Sequence, residues 1–341
     1  MKFAVGYQLS EGEETPFSAL LEDYRDSVAE VYFPWLDMPS GRSALATRHG
    51  HTDWTAQARL EDELRRIKGW GMKLDLLFNA NCYGRLAMSE ELRNHVGSIL
   101  EHLEDAVGGV DIVTTTSPFI AEVVKKYFPS IDVRASVNMW IGSVKAMTYV
   151  SDLFDSFYVQ REYNRDLDYI AGLKEWCTAN GKGLYLLANS GCFAYCTGHT
   201  YHDNLVAHEA EICETKNVED FMPYTCWRCL KKRENWPMIL QNNWIRPEDV
   251  HHYEGLIDTM KLATRMHARP QMVIDAYVRG SFWGNLVDLC EPGFGPALSP
   301  YIIDNKALPE DFFEVTSHCH KTCHTCHYCR DALDKALLRC E

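Results

Sequence analysis

Eight short apolar runs, each separated from the next by an amphipathic stretch, constrain the fold of this chain more than any other feature. They are Phe3–Tyr7, Glu30–Trp35, Lys73–Asn79, Val110–Thr115, Val133–Asn138, Ser156–Arg161, Gly183–Asn189 and Thr259–Thr264. Runs rich in Val, Ile, Leu and Tyr suit parallel strands that crossover helices bury on both faces. The punctuation between them agrees. Ser89-Glu90-Glu91 and Ser117-Pro118 start helices, Asn180-Gly181 closes one through Leu173 and Trp176, and Arg246-Pro247-Glu248-Asp249 opens the helix before the last strand. Eight strand–helix repeats without a Gly-rich dinucleotide fingerprint predict an α/β fold, a (β/α)8 TIM-type barrel rather than a doubly wound sheet. The 341 residues are enough to build one.

In such barrels the chemistry sits at the C-terminal strand ends. Here those ends carry Asn79, Asn81 and Cys82; Thr114 to Ser117; Ser136 and Asn138; Arg161 and Glu162; Asn189 and Ser190; Lys261 and Arg265. Ser117 and Thr114 read as helix caps. Arg161 and Glu162 are adjacent charges ending an apolar strand, so they must face a polar site or pair with each other. Glu162 is the candidate acid or base, and Arg161, Lys261 and Arg265 are candidate anchors for an anionic small molecule.

Thirteen cysteines, odd in number and clustered, argue for metal ligation over a disulfide framework. The loop 189–229, after the seventh strand, holds Cys192, Cys196, Cys213, Cys226 and Cys229 interleaved with His199, His202 and His208. Thiolates converging from a loop are soft ligands for iron–sulfur clusters and zinc. Gaps of 3, 16, 12 and 2 residues resemble neither a zinc ribbon nor a Cys2His2 finger, which favours a [4Fe–4S] cluster. The tail has Cys319, Cys323, Cys326 and Cys329 at ferredoxin-like spacing, with Cys340 behind. A second [4Fe–4S] cluster is expected there, with a zinc knuckle using His324 or His327 as the alternative. The radical-SAM spacing of Cys319, Cys323 and Cys326 has no barrel after it, and the haem-like Cys323-x-x-Cys326-His327 has no export signal before it. Cys177 reads as core, Cys290 stands alone, and Cys82 at a strand end leaves a site role open.

The formal net charge of −14 repels phosphate backbones and argues against a broad nucleic-acid surface, leaving a small molecule as the expected substrate. With no signal-peptide pattern and no run of about 18 apolar residues, a cytoplasmic location away from membranes is expected. Peptidase chemistry finds no H-E-x-x-H or G-x-S-x-G, and there is no P-loop.

Four stretches, in this order and spacing, resemble the peptidase U32 family, also called collagenase-like proteases. They are VTTTSPFIAEVVKKYFPSIDVRASVN from Val113, YVQREYNRDLD from Tyr158, LANSGCFAYC from Leu187 and WIRPEDVHHYEGLIDTMKLATR from Trp244. The resemblance implies a barrel over residues 1–285 that includes the cluster loop, followed by a cysteine-rich metal-binding tail over 286–341. It also implies a four-cysteine [4Fe–4S] cluster and oxygen-independent hydroxylation, as in members acting on quinone precursors or RNA bases. Cys192, Cys196 and Cys213 fall on ligand positions, and the fourth is open between Cys229 and Cys226. Expected partners are an electron-donor protein and a paired U32 subunit. The alternatives are a non-catalytic iron–sulfur accessory subunit and, third, a peptidase.

Overall fold

The computed structural model describes residues 1–10, 14–36, 38–41 and 53–340. Each of the eight apolar runs overlaps a strand: β1 (Phe3–Gly6), β2 (Val28–Pro34), β3 (Lys73–Phe78), β4 (Ile112–Thr115), β5 (Asp132–Ala135), β6 (Ser156–Tyr158), β7 (Gly183–Leu187) and β8 (Thr259–Leu262). Each pairs in parallel with the next, and β1 pairs with β8 through Ala4 and Lys261, which closes the barrel. The first six crossovers hold one α-helix each: α1 (Phe17–Leu21), α2 (Trp54–Gly69), α3 (Glu90–Val107), α4 (Pro118–Tyr127), α5 (Val144–Thr148) and α6 (Leu167–Ala179). The seventh is much longer and carries α7 (His199–Ala207), α8 (Glu209–Cys213) and α9 (Thr225–Leu230). This is a (β/α)8 barrel with its largest insertion between β7 and β8.

Local chemistry sets the element ends. Ser89 Oγ accepts the Leu92 N–H at 3.0 Å to start α3, and Ser117 Oγ accepts the Ile120 N–H at 3.3 Å to start α4, with Pro118 in the first turn. Asn180 closes α6. The expected helix at Pro247 is a 3-10 segment, Pro247–Tyr253, in which Asp249 turns back to take both Nε and Nη2 of Arg246. Thr114 is not a cap, because it lies within β4 and its hydroxyl donates to Asp75 Oδ2 at 2.9 Å.

Alternation along the strands separates two environments. Val31, Phe33, Leu74, Leu76, Val113, Val133, Leu184, Leu186 and Met260 pack outward against the helices in the main core. Ala4, Tyr32 and Leu77 form a separate apolar group. The buried Glu30, Asp75 and Arg134 meet across the barrel, where branched aliphatic layers are the norm.

A second core lies beside the barrel. Leu230, Trp236 and Trp244 from the seventh crossover pack with Leu286, Phe294, Phe312 and Leu333 from the C-terminal region. That region contains α10 (Pro270–Arg279), α11 (Gly295–Leu298), α12 (Phe312–Ser317), α13 (Tyr328–Ala336) and an antiparallel pair, β9 (Tyr301–Ile303) with β10 (Leu337–Arg339). The stretch around residues 291–300 thus forms part of a packed layer. The second core draws on both sides of the expected boundary at 285/286.

Candidate metal centre and barrel-mouth cavity

The floor of the site is a buried charge network. Arg134 Nη1 donates to Glu30 Oε1 at 2.7 Å and lies 3.8 Å from Asp75 Oδ2, while its Nε donates to Ser156 Oγ at 3.2 Å. Its guanidinium sits 3.7 Å from the centre of the Tyr185 ring. The Lys261 ammonium lies 3.7 Å from the centre of the Tyr32 ring and 5.3 Å from that of Tyr158. Burial, and then the Glu30 carboxylate, push the Asp75 carboxyl above its ordinary range against the pull of Arg134 and Lys261. Burial pulls Lys261 below the ordinary range of an amine, opposed by Asp75 and Glu30. Two cations and two carboxylates balance, so their charges are best understood as one set.

Above this floor, at the C-terminal strand ends, Lys261, Arg161 and Arg265 line one cavity together with Cys192, Cys196 and Cys226. Arg161 Nη1 donates to Ser190 Oγ at 3.4 Å, and its guanidinium lies 4.7 Å from the centre of the Trp140 ring. Arg265 Nη1 donates to Ser40 Oγ at 2.9 Å. Trp140 holds a left-handed φ of 56°, an uncommon conformation for a bulky residue. Its ring centre lies 3.6 Å from that of His199, whose Nε2 is 2.6 Å from Asp203 Oδ2. Asn81 Nδ2 donates to the same Asp203 oxygen at 3.0 Å, tying α7 to the end of β3.

The cysteine loop is fastened at its start. Asn189, fully buried, donates to Leu289 O at 2.8 Å and accepts the Ala263 N–H at 2.6 Å. Gly191 leaves no room for a side chain, since an added Cβ would collide with the Pro292 carbonyl. Gly198 is pressed in the same way against Thr225, which brings the turn holding Cys192 and Cys196 onto the start of α9. Cys226 and Cys229 stand three apart on that helix, hence on one face. Burial, followed by Cys192 and then Cys196, pushes the Cys226 thiol up to about 11. Burial also raises Cys196, with Cys192 and Cys229 adding to the effect.

These four thiols therefore lie within electrostatic reach of one another. Cys213, by contrast, is exposed at the end of α8. Of the five loop cysteines, Cys192, Cys196, Cys226 and Cys229 are the set that the fold gathers. They suit a thiolate-ligated group by donor chemistry, all four being free thiols. Among the described residues, no three Cys, His, Asp or Glu side chains are drawn to the separation that holds a single metal ion.

Glu162 is buried and does not line the cavity. Its Oε1 accepts the Tyr195 N–H at 3.1 Å and its Oε2 accepts Gln160 Nε2 at 3.1 Å. One carboxylate oxygen thus holds the turn between Cys192 and Cys196, in which Tyr195 has a left-handed φ of 55°, and the other is taken by the neighbouring Gln160. The expected acid or base occupies a positioning role in this geometry.

The tail folds back over the same turn. Lys321 Nζ donates to the Glu162 carbonyl at 3.0 Å and lies near the rings of Tyr163 and Tyr195. Burial raises the Cys323 thiol, and Cys319 and Cys326 add to it. Cys329 is pushed up to about 11 by burial, with Arg165 opposing and Cys319, Cys323 and Cys326 adding. The tail cysteines are a second quartet of mutually interacting thiols.

No protein-family model matches the chain. An uncharacterized protease of Methanocaldococcus jannaschii is 25% identical over 291 residues, covering 82% of this chain and 81% of the relative. A solved U32 peptidase superposes with a TM-score of 0.53 at 16% identity, covering 76% of this chain and 92% of its own. The chain is thus similar in sequence to a protease relative and in fold to a U32 peptidase. The structural likeness carries the barrel.

Several site residues escaped a reading of the sequence. Asp75 and Arg134 sit inside apolar runs, where a charge ordinarily marks a strand end. Their one signal was parity, since a charge at an inward position of a closed barrel must find a partner. Trp140 gave no signal, because only its backbone conformation sets it apart. Among the described residues, no helix is long and apolar enough to cross a membrane.

Proposed function

We propose that the protein is an iron–sulfur redox enzyme that modifies a small anionic or aromatic molecule at the barrel mouth. The observation that carries this reading is one cavity lined by three thiols, Cys192, Cys196 and Cys226, and three cations, Arg161, Lys261 and Arg265. Cys229 completes the donor set. A [4Fe–4S] group held there by all four thiols would supply one-electron chemistry. The chain's own residues do the rest. Arg161 and Arg265, each fixed by a serine hydroxyl, orient an anionic substrate. Tyr32 and Trp140 offer flat apolar faces to a ring. Lys261, held below the usual amine range on the cavity floor, is suited to give up and regain a proton.

The tail quartet supports an electron path, because Lys321 and Tyr195 join it to the turn that carries Cys192 and Cys196. A second group bound by Cys319, Cys323, Cys326 and Cys329 would receive electrons from a donor protein, with zinc as the structural alternative. The same feature favours the second reading, an accessory electron carrier. A carrier needs only the cysteines, whereas a catalyst also needs Arg161 and Lys261.

The test is iron, sulfide and zinc per chain on protein purified without oxygen, with EPR spectra before and after dithionite. Native protein should hold about eight irons. Replacing Cys192, Cys196 and Cys226, or Cys323, Cys326 and Cys329, should leave about four. About four irons with one zinc would make the tail structural, and no iron at all would end the redox reading.

A further inference from the structure

Glu291 lines the barrel-mouth cavity together with Arg161, Lys261 and Arg265. Its backbone is pinned on both polar groups. The Glu291 N–H donates to Asn189 O at 2.9 Å, the Gly191 N–H donates to Glu291 O at 3.0 Å, and Ser190 and Glu291 form a parallel bridge just past β7. Gly191 O in turn accepts Asn242 Nδ2 at 2.8 Å. The Glu291 side chain therefore starts from a fixed point on the cavity wall.

Two carboxylates line this cavity among the described residues, and they differ in what they are free to do. Asp203 Oδ2 accepts Asn81 Nδ2 at 3.0 Å and lies 2.6 Å from His199 Nε2, so it is committed to holding α7. Glu291 is half-buried, and among the described residues no hydrogen bond or ion pair engages its carboxylate.

A ligand that fills the cavity takes water away from Glu291. A purely anionic ligand would strip the carboxylate of hydration, give it no partner and set a second negative charge beside it. A ligand with an ammonium as well as a carboxylate meets both signs of charge on the wall. Its carboxylate pairs with Arg161 and Arg265, each fixed by a serine hydroxyl, and its ammonium pairs with Glu291. Sites discriminate most sharply where the wrong ligand leaves a polar group unpaired. Tyr32 and Trp140 add flat walls that suit a ring.

Resting on the reading of this cavity as the substrate site, we propose that the substrate is an aromatic zwitterion of the amino-acid kind, its carboxylate on Arg161 and Arg265 and its ammonium on Glu291. Glu291 is then the residue that separates zwitterions from plain aromatic acids.

Three probes are titrated by calorimetry into the whole chain purified without oxygen, at about pH 7, where their acids and amines are charged. They are L-phenylalanine, 3-phenylpropionate, which lacks the ammonium, and phenethylamine, which lacks the carboxylate. L-Phenylalanine should bind at least about tenfold more tightly than either. Glu291→Gln should bring L-phenylalanine down to the level of 3-phenylpropionate, whose own binding holds or improves because a repelling charge has gone. Retained 3-phenylpropionate binding also shows that the variant is folded. Native protein that binds either partial probe as tightly as L-phenylalanine, or binds no L-phenylalanine, overturns the proposal without needing any variant. So does a preference that Glu291→Gln leaves intact. These readouts involve no turnover and are separate from iron content. Iron-free protein that keeps the preference ends the redox reading alone, and iron-replete protein without it ends the zwitterion alone.

Discussion

Lys261 and Asp75 belong to one buried network, and neither can be removed alone without electrostatic consequence. Replacing Lys261 with Met leaves Glu30 and Asp75 facing Arg134 as the sole cation of that set. The surplus negative charge is relieved most readily by a proton on Asp75, whose carboxyl burial and Glu30 already push upward. A carboxyl raised in the folded state contributes its stability below the unfolded value, and that contribution is lost as pH climbs through the folded value. Lys261→Met should therefore lose stability against the native chain as pH rises above about 7, where the native Asp75 ionises, by about 1.4 kcal/mol per unit of added Asp75 shift. Asp75→Asn in the same background should flatten that slope. Urea unfolding at a series of pH values decides it, and a loss independent of pH would mean that Lys261 contributes packing alone.

At the scale of the element, the turn from Cys192 to Cys196 depends on Glu162, which accepts the N–H of a residue held in a left-handed conformation. Glu162→Gln keeps an oxygen for the Tyr195 N–H, whereas Glu162→Leu buries that N–H without a partner, at a cost of about 1–3 kcal/mol. The glutamine variant should retain its iron and most of its turnover, and the leucine variant should lose iron readily to a chelator. A glutamine variant with full iron and no turnover would restore Glu162 to the acid–base role. What the sequence made legible follows from how local each signal is. The strands and the Ser89 and Ser117 caps could be read because a two-residue period and a capping hydroxyl act within a few residues. Spacing could gather five loop cysteines but could not select among them, since the choice depends on where α8 and α9 lie. That placement leaves Cys213 exposed and turns Cys226 and Cys229 inward together.

Across the whole molecule, the cysteine loop is held by two cores. Asn189 and Gly191 fix its start against the barrel and the Leu289–Pro292 strap, while Leu230, on the helix that bears Cys226 and Cys229, packs in the second core with Leu333 of α13. Arg165, just past β6, joins the two by donating Nε and Nη2 to Trp244 O at 2.9 and 2.7 Å, with its guanidinium over the Trp244 and Phe312 rings. The C-terminal region is thus part of what positions the thiols. Leu333→Ala and Leu173→Ala each remove a buried leucine side chain and should each cost about 2–5 kcal/mol. Their effects on the site should differ. Leu333→Ala should loosen α9 and speed alkylation of Cys226 and Cys229 in metal-free protein under native conditions. Leu173→Ala, packed under α6 in the main core, should leave those rates near native until the barrel itself unfolds. Site-mapped alkylation of the two variants measures the difference. Equal rates at Cys226 and Cys229 would mean that the second core is an appendage, and that the barrel alone holds the thiols in place.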